Sequence, residues 1–342
     1  MTNLKPGLLL SVLLLLTVMV HAQPLKNRQQ QIKVVFYNVE NLFDTVDDPN
    51  KDDKEFLPGA SVAWNTPRYL TKLEHTAKVL ASIDSISLPE VIGMAEVENI
   101  AALQDLIGKT RLKTGNYRAI LEEGQDPRGI DVALIYRPDR MKYLGHRSLP
   151  SAGSFRTRSA LCVTLADPKD NRYHFIVNHW KSRSGGQEET EAQRFENARY
   201  LKAVTDSILN KDPFANILLI GDFNDEPTDS SISVVLGAKP AGTKPVPSDL
   251  YNLMSEKEKE GEGTLFYKDW DVFDQIIVSG NLLTRKTRKS PWIGEPWSYV
   301  FKEDWMLYKH RTGVMVPNRT ASSREYFGGY SDHLPVFTVV KF

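Results

Sequence analysis

The sequence predicts an α/β domain with its helices on the outside. Two observations carry that prediction. Short apolar runs alternate with amphipathic stretches along the chain, and such alternation builds sheets covered by helices. The apolar runs also end in polar clusters, the clearest being Gly221-Asp222-Phe223-Asn224-Asp225-Glu226-Pro227 behind Ile217-Leu218-Leu219-Ile220. The carboxyl ends of strands are where open α/β sheets hold ligands, and Gly221 is expected to let the backbone turn there. The clusters run from Asn38 to His333, so cutting the chain in two would cut the site. One domain over residues 23–342 is therefore expected. With 41% hydrophobic and 25% charged residues in 342, a sizeable core is available.

A strand over 32–37 ends at Asn38-Val39-Glu40-Asn41. Residues 44–66 hold many Asp, Asn and Pro and read as a loop. A helix follows over 68–85, where Leu70, Leu73, Ala77, Leu80 and Ala81 recur at helical spacing. A short strand over 91–95 leads into Glu96, and a helix is expected over 99–109. Residues 131–136 read as a strand stopped by Pro138. Strands over 161–165 and 173–177 come next, the second ending at Asn178-His179-Trp180-Lys181-Ser182. A long helix over 188–209 precedes the strand that leads to Asp222. Residues 237–263, rich in Gly, Pro, Lys and Glu, read as a loop or insertion, and strands over 272–278 and 334–340 close the chain.

Lys and Arg number 43, as do Asp and Glu, so the formal net charge is zero. Residues 1–22 hold Lys5 and no acid; without them 42 basic residues face 43 acidic ones. That balance argues against tight, non-specific DNA binding and leaves room for a local basic groove. The single cysteine, Cys162, lies in Ala160-Leu161-Cys162-Val163 and is expected to be a small buried hydrophobe. Residues 1–22 have the layout of a signal peptide. Lys5 precedes an apolar run over 8–20, and Val20-His21-Ala22 resembles a cleavage site. The run is short for a membrane span. A secreted or periplasmic monomer, without stable membrane insertion after cleavage, is the expectation.

The strand-end polar residues are Asn38, Glu40, Glu96, Asn178, His179, Asp222, Asn224, Asp274, Asp332 and His333. Singly, each has an ordinary explanation as a turn cap or a locally bonded side chain. Jointly they suggest metal-assisted chemistry on a phosphate ester: carboxylates suit a hard cation, while imidazolium and amide groups suit phosphoryl charge. No Gly-x-Ser-x-Gly elbow is present, so a serine nucleophile is not indicated.

Six pieces then carry a resemblance. They are Tyr37-Asn38-Val39-Glu40-Asn41, Ala95-Glu96-Val97-Glu98-Asn99, Val177-Asn178-His179-Trp180, Gly221-Asp222-Phe223-Asn224, Phe273-Asp274-Gln275-Ile276-Ile277 and Ser331-Asp332-His333-Leu334-Pro335. In this order they resemble the endonuclease/exonuclease/phosphatase superfamily of metal-dependent phosphoesterases. That group includes DNase I-like nucleases, abasic-site endonucleases, neutral sphingomyelinases and inositol-polyphosphate phosphatases. The resemblance implies a four-layer α/β sandwich of two packed, mixed or mostly antiparallel sheets flanked by helices.

It also implies roles. Glu96 would be the principal ligand of Mg²⁺ (or Mn²⁺ or Ca²⁺), with Asn38 supporting the ion or the scissile phosphate. Glu40 binds metal in some members, and Asp332 would be an additional ligand. Asp222 would orient or deprotonate the attacking water, and Asn224 would hold the phosphate or nucleophile. His333, polarised by Asp274, would sit on the phosphate; His179 would protonate the leaving oxygen or bind the phosphate. Asn178, Arg128 and Lys181 are candidate substrate contacts. Arg156, Arg158, Lys181, Arg183 and Arg194 either line a phosphate groove or form a solvated face.

An endonuclease on DNA or RNA is the expected activity. Glu98 stands where DNA-cleaving relatives often carry a basic residue, and weighs against a duplex substrate. The alternatives are a phosphomonoesterase and a sphingomyelinase-like hydrolase with Trp292, Trp297 and Trp305 on a lipid-contact loop; an inactive binding module is the least favoured. The run Arg285-Lys286-Thr287-Arg288-Lys289 is expected to be exposed.

Overall fold

The computed structural model describes residues 30–150, 158–287, 290–322 and 324–342. The expected signal peptide, Arg156, Arg288 and Lys289 lie outside the described residues. The first half of the chain holds β1 (Gln31–Leu42), α1 (Thr66–Ser82), β2 (Val91–Val97), α2 (Ile100–Lys109), β3 (Arg118–Leu121) and β4 (Asp131–Tyr136). Then come β5 (Lys142–Leu149), β6 (Ala160–Ala166), β7 (Arg172–His179), α3 (Gln187–Leu209) and β8 (Asn216–Asp222). The last part holds β9 (Lys239–Pro240), β10 (Leu250–Asn252), α4 (Ser255–Glu260), β11 (Leu265–Phe266), β12 (Trp270–Asp271) and β13 (Asp274–Ser279). It ends with β14 (Tyr299–Val300), β15 (Leu307–Lys309), β16 (Met315–Pro317) and β17 (Val336–Lys341).

Two sheets form the body. One runs β14-β17-β1-β2-β4-β3, the other β5-β6-β7-β8-β13-β10-β9. Alternate side chains sort into layers, as the two-residue period of a strand requires. From β1, Ile32, Val34 and Phe36 enter the core between the sheets, while Val35, Tyr37 and Val39 face outward under α1 and α2. From β8, Leu218 and Ile220 join the central core, and Ile217 and Leu219 pack on the other side with Ala198, Leu201 and Val204 of α3. The result is the four-layer sandwich that the resemblance implied. Strands buried on both faces read as unbroken apolar runs, which is why these were legible. At the centre Gly93 admits the opposite sheet: a Cβ there would stand 2.6 Å from Ile220 Cδ1.

The differences from expectation have physical reasons. Helix α1 ends at Ser82, and Leu70, counted with its apolar stripe, is 44% exposed. Strand β5 went unread because Lys142, Tyr143, Leu144, His146 and Arg147 are exposed on a sheet edge, with no apolar alternation to show it. The expected loop over 237–263 contains β9, β10 and α4, elements too short for periodicity to detect. Cys162 is buried, as expected. No helix among the described residues is long and apolar enough to cross a membrane.

Two parallel pairs place the site. β1 pairs with β2, setting Asn38 beside Ala95; β7 pairs with β8, setting His179 beside Asp222. β13 runs antiparallel to β8 and puts Asp274 opposite Asp222. β17 returns antiparallel to β1, with Val336 beside Phe36, so the preceding Ser331–His333 segment lies over the end of β1. There Ser331 Oγ donates to Asn38 O at 2.8 Å.

Candidate active site

The backbone is bent where these strands end. Among the described residues, four of the seven non-glycine residues with positive φ are Glu40 (50°), Asn41 (56°), Glu96 (63°) and Asn224 (51°). The conformation is uncommon for a residue with a Cβ, and it concentrates at functional sites. Register shifts in β1 after Asn38 and in β2 around Glu96 mark bulges there; bulges re-aim side chains. Gly221 has a different task from the one expected. It lies within β8 and outside the positive-φ set, and the turn falls on Asn224. A Cβ at Gly221 would collide with the carbonyl of Asn178, so this glycine permits close approach of β7.

Asp222 is the hub. Its Oδ1 accepts the Asn224 amide N–H at 3.0 Å and its Oδ2 accepts Asn38 Nδ2 at 3.1 Å. The same Oδ2 is 3.5 Å from His179 Nε2 and 3.8 Å from His333 Nε2. Burial pushes the Asp222 carboxyl up to about 7, against the opposing pull of His333. Such a group is poised to take a proton near neutral pH.

The two histidines differ in charge. His333 Nδ1 is 2.7 Å from Asp274 Oδ2, and Asp274 is fully buried. Burial works against charge on His333, but Asp274, with Asp222 and Asp332, raises its pKa well above the ordinary value. It is an imidazolium with Nε2 turned toward Asp222. His179 is held neutral, first by burial and then by Arg158. Arg158 is itself buried; its Nε donates to His179 Nδ1 at 3.3 Å, and its Nη2 lies 3.0 Å from His179 Nε2. Its Nε is also 3.5 Å from Asp126 Oδ2. Arg158 therefore lines the site and belongs to no solvated face. Its signal was its place just before the apolar run at 160–163.

The other candidates fall as follows. Asn178 is buried, and its Nδ2 donates to Ile176 O at 2.8 Å, away from the cleft; its Oδ1 has no partner. Asn224 Nδ2 donates to Trp180 O at 3.1 Å. Arg128 is exposed beside Asp126, at 3.4 Å, and its charge reaches His179. Lys181 is half-buried just beyond His179. Arg183 and Arg194 brace the turn after β8 through Asp225, at 3.0 and 2.7 Å. Glu98 is buried and accepts the Asp44 N–H at 2.7 Å. Trp297 and Trp305 pack against the cores, and Trp292 is half-buried between Arg285 and Lys341.

The remaining acids meet different surroundings. Glu96 Oε2 accepts the Asn41 N–H at 3.0 Å, and Oε1 is 3.8 Å from His179 Nε2. Glu40 is 3% exposed. Its Oε2 accepts the Thr320 N–H at 2.6 Å, and its Oε1 lies 3.1 Å from Arg319 Nε. Arg319 Nη2 continues to Asp332 Oδ2 at 3.2 Å. Sequence reasoning did not single out Arg319, which sits in a connecting segment with no strand before it long enough to flag it.

Do these residues fit a divalent cation? Mg²⁺ takes one or two carboxylates and keeps several waters. Glu96 has a carboxylate oxygen not bonded to backbone, and Asp332 Oδ1 is likewise clear of Arg319, being 4.0 Å from His333 Nε2. Among the described residues no three His, Cys, Asp or Glu side chains form a ready cage. The donor set fits an ion held chiefly by Glu96 and otherwise by water.

A four-layer sandwich with acids, amides and histidines at paired strand ends defines the DNase I-like class. The chain belongs to the endonuclease/exonuclease/phosphatase family, whose model matches residues 33–341. Members of this superfamily are phosphoric ester hydrolases. No curated protein sequence matches the chain. Among solved structures, TDP2 of D. rerio complexed with a single-stranded DNA product is 17% identical at a TM-score of 0.55, covering 91% of this chain and 99% of that one. The mannosyl-6-phosphatase of Bacteroides thetaiotaomicron is 16% identical at 0.55, covering 91% and 100%. The human Nocturnin catalytic domain with bound sulfate is 19% identical at 0.53, covering 92% and 95%. At these identities the likeness concerns the fold.

Proposed function

We propose that this protein is an exported, divalent-metal-dependent phosphodiesterase that cleaves DNA or RNA internally. The observation that carries the reading is the hub at Asp222: a buried carboxyl raised to about 7, between a charged and a neutral histidine. Asp222 accepts the proton of the attacking water. His333, fixed by Asp274, donates from Nε2 to a phosphoryl oxygen. Asn38 and Asn224 hold the Asp222 carboxylate in place, so its lone pair is aimed before substrate arrives. The neutral ring of His179, backed by Arg158, faces the same space, and Arg158 and Arg128 lend positive charge to a polyanionic strand. Glu96 would hold Mg²⁺ or a similar cation, which would supply Lewis-acid stabilisation of the phosphoryl charge. No protein nucleophile is required.

Glu98 accepts the Asp44 N–H and lines a surface depression with Asp44 and Asp48, so it continues to weigh against a duplex substrate. The signal-peptide layout of residues 1–22 supports export to the periplasm or beyond. A second reading, a phosphomonoesterase, is supported by the fold shared with a sugar-phosphate phosphatase. A sphingomyelinase-like activity is less favoured, since Trp292, Trp297 and Trp305 are each at least partly buried. The test is a parallel panel with Mg²⁺: plasmid nicking, single-stranded RNA, a sugar 6-phosphate and sphingomyelin. Nicking or RNA cleavage is expected. Turnover of the sugar phosphate alone would overturn the nuclease reading.

A further inference from the structure

Beneath the rim where β1 ends, two acids and two bases meet. Glu40 and Asp332 are bridged by Arg319, at 3.1 Å from Nε and 3.2 Å from Nη2. Lys72, buried on α1, donates from Nζ to Thr320 Oγ1 at 2.5 Å and to Tyr330 O at 2.7 Å, and its charge acts on both acids. Two acids thus face two basic groups.

The backbone that carries Arg319 is over-determined. Thr320 N–H and Ala321 N–H both donate to Glu40, Phe327 N–H and Gly328 N–H both donate to Thr320 O, and Tyr330 N–H donates to Asn318 O. Gly329 packs so closely on this segment that a Cβ would collide with the carbonyls of Asn318 and Arg319. The guanidinium is placed by the fold.

Glu96 is the contrast. Among the described residues no Lys or Arg pairs with it within 4.0 Å. Its carboxylate is therefore open to an exchangeable cation.

We propose that Arg319 is a built-in cation standing where a second divalent ion would otherwise bridge Glu40 and Asp332, so that the site takes one exchangeable metal, at Glu96. This rests on the metal-dependent reading above. A guanidinium is permanently charged and presents donors in a fixed fork that matches two carboxylates. A divalent ion there would have to displace it and break its bonds to both acids. Glu40, an expected metal ligand, then acts as the anchor of that fork.

The experiment is a titration of metal-free, full-length protein with Mn²⁺, following the electron paramagnetic resonance signal of the free ion. Wild type is expected to bind one Mn²⁺ per chain, and two would overturn the proposal. Glu96→Gln is expected to abolish tight binding. Arg319→Gln is expected to gain a second Mn²⁺, and an unchanged single site in the folded variant would overturn the proposal. Should Arg319→Gln fail to fold, Glu40→Gln decides: it keeps one Mn²⁺ if Glu40 is an anchor, and loses it if Glu40 is a ligand. Wild type binding no Mn²⁺ at all would instead reject the metal-dependent reading on which the proposal stands.

Discussion

The two parallel strand pairs end in corners built from similar residues that do different work. At the β1–β2 corner, Glu40 and Glu96 both follow apolar strands, and both sit at positive φ. At the β7–β8 corner, His179 and Asp222 stand side by side in register. The first corner brings its own cations, Arg319 and Lys72, from distant segments and balances charge. The second sets one carboxyl, Asp222, 3.5 and 3.8 Å from the Nε2 atoms of two imidazoles. Residue type and position at a strand end therefore do not fix a role. The partner that the rest of the fold delivers does.

Substitution in each corner should expose the contrast. Asp222→Asn is expected to lower hydrolysis of bis-p-nitrophenyl phosphate by about a thousandfold, the loss appropriate to a general base. The same variant should keep or raise the unfolding midpoint. Burial disfavours the charged carboxylate in the folded state, so its removal takes away a cost at neutral and higher pH. A variant that lost stability and kept activity would reverse the assignment. The smaller effect belongs to the β1–β2 corner. Lys72→Met removes the Nζ donor from Thr320 Oγ1 and Tyr330 O, and should cost about 1–3 kcal/mol in urea unfolding, the scale for leaving buried acceptors without a partner. An unchanged midpoint would show that Lys72 does not support the corner.

Much of this was legible in the sequence, for a reason visible in particular residues. Asn38, Glu96, Asp222, Asp274 and His333 each lie at or beside the end of an apolar strand, so local pattern and chemistry coincide. Both sheets show themselves through strands buried on two faces. Arg319 was not legible, because its place depends on how the 318–330 segment docks on Glu40 and Lys72, at separations of hundreds of residues. Arg158 was visible as a basic residue near the site, but its contact with His179 needs the register of β6 against β7. The opposite shifts of His179 and His333 follow from burial, reinforced at His179 by Arg158 and overridden at His333 by Asp274, and from no feature of the local sequence.

The central claim is that these strand ends form one cation-assisted centre for phosphate-ester hydrolysis. It is tested most directly by the Mg²⁺ dependence of bis-p-nitrophenyl phosphate hydrolysis, measured for wild type and Glu96→Gln. The account predicts a wild-type rate that saturates with Mg²⁺ and vanishes in EDTA, and a Glu96→Gln curve displaced to far higher Mg²⁺. Full hydrolysis in EDTA, or superimposable curves for the two proteins, would contradict it.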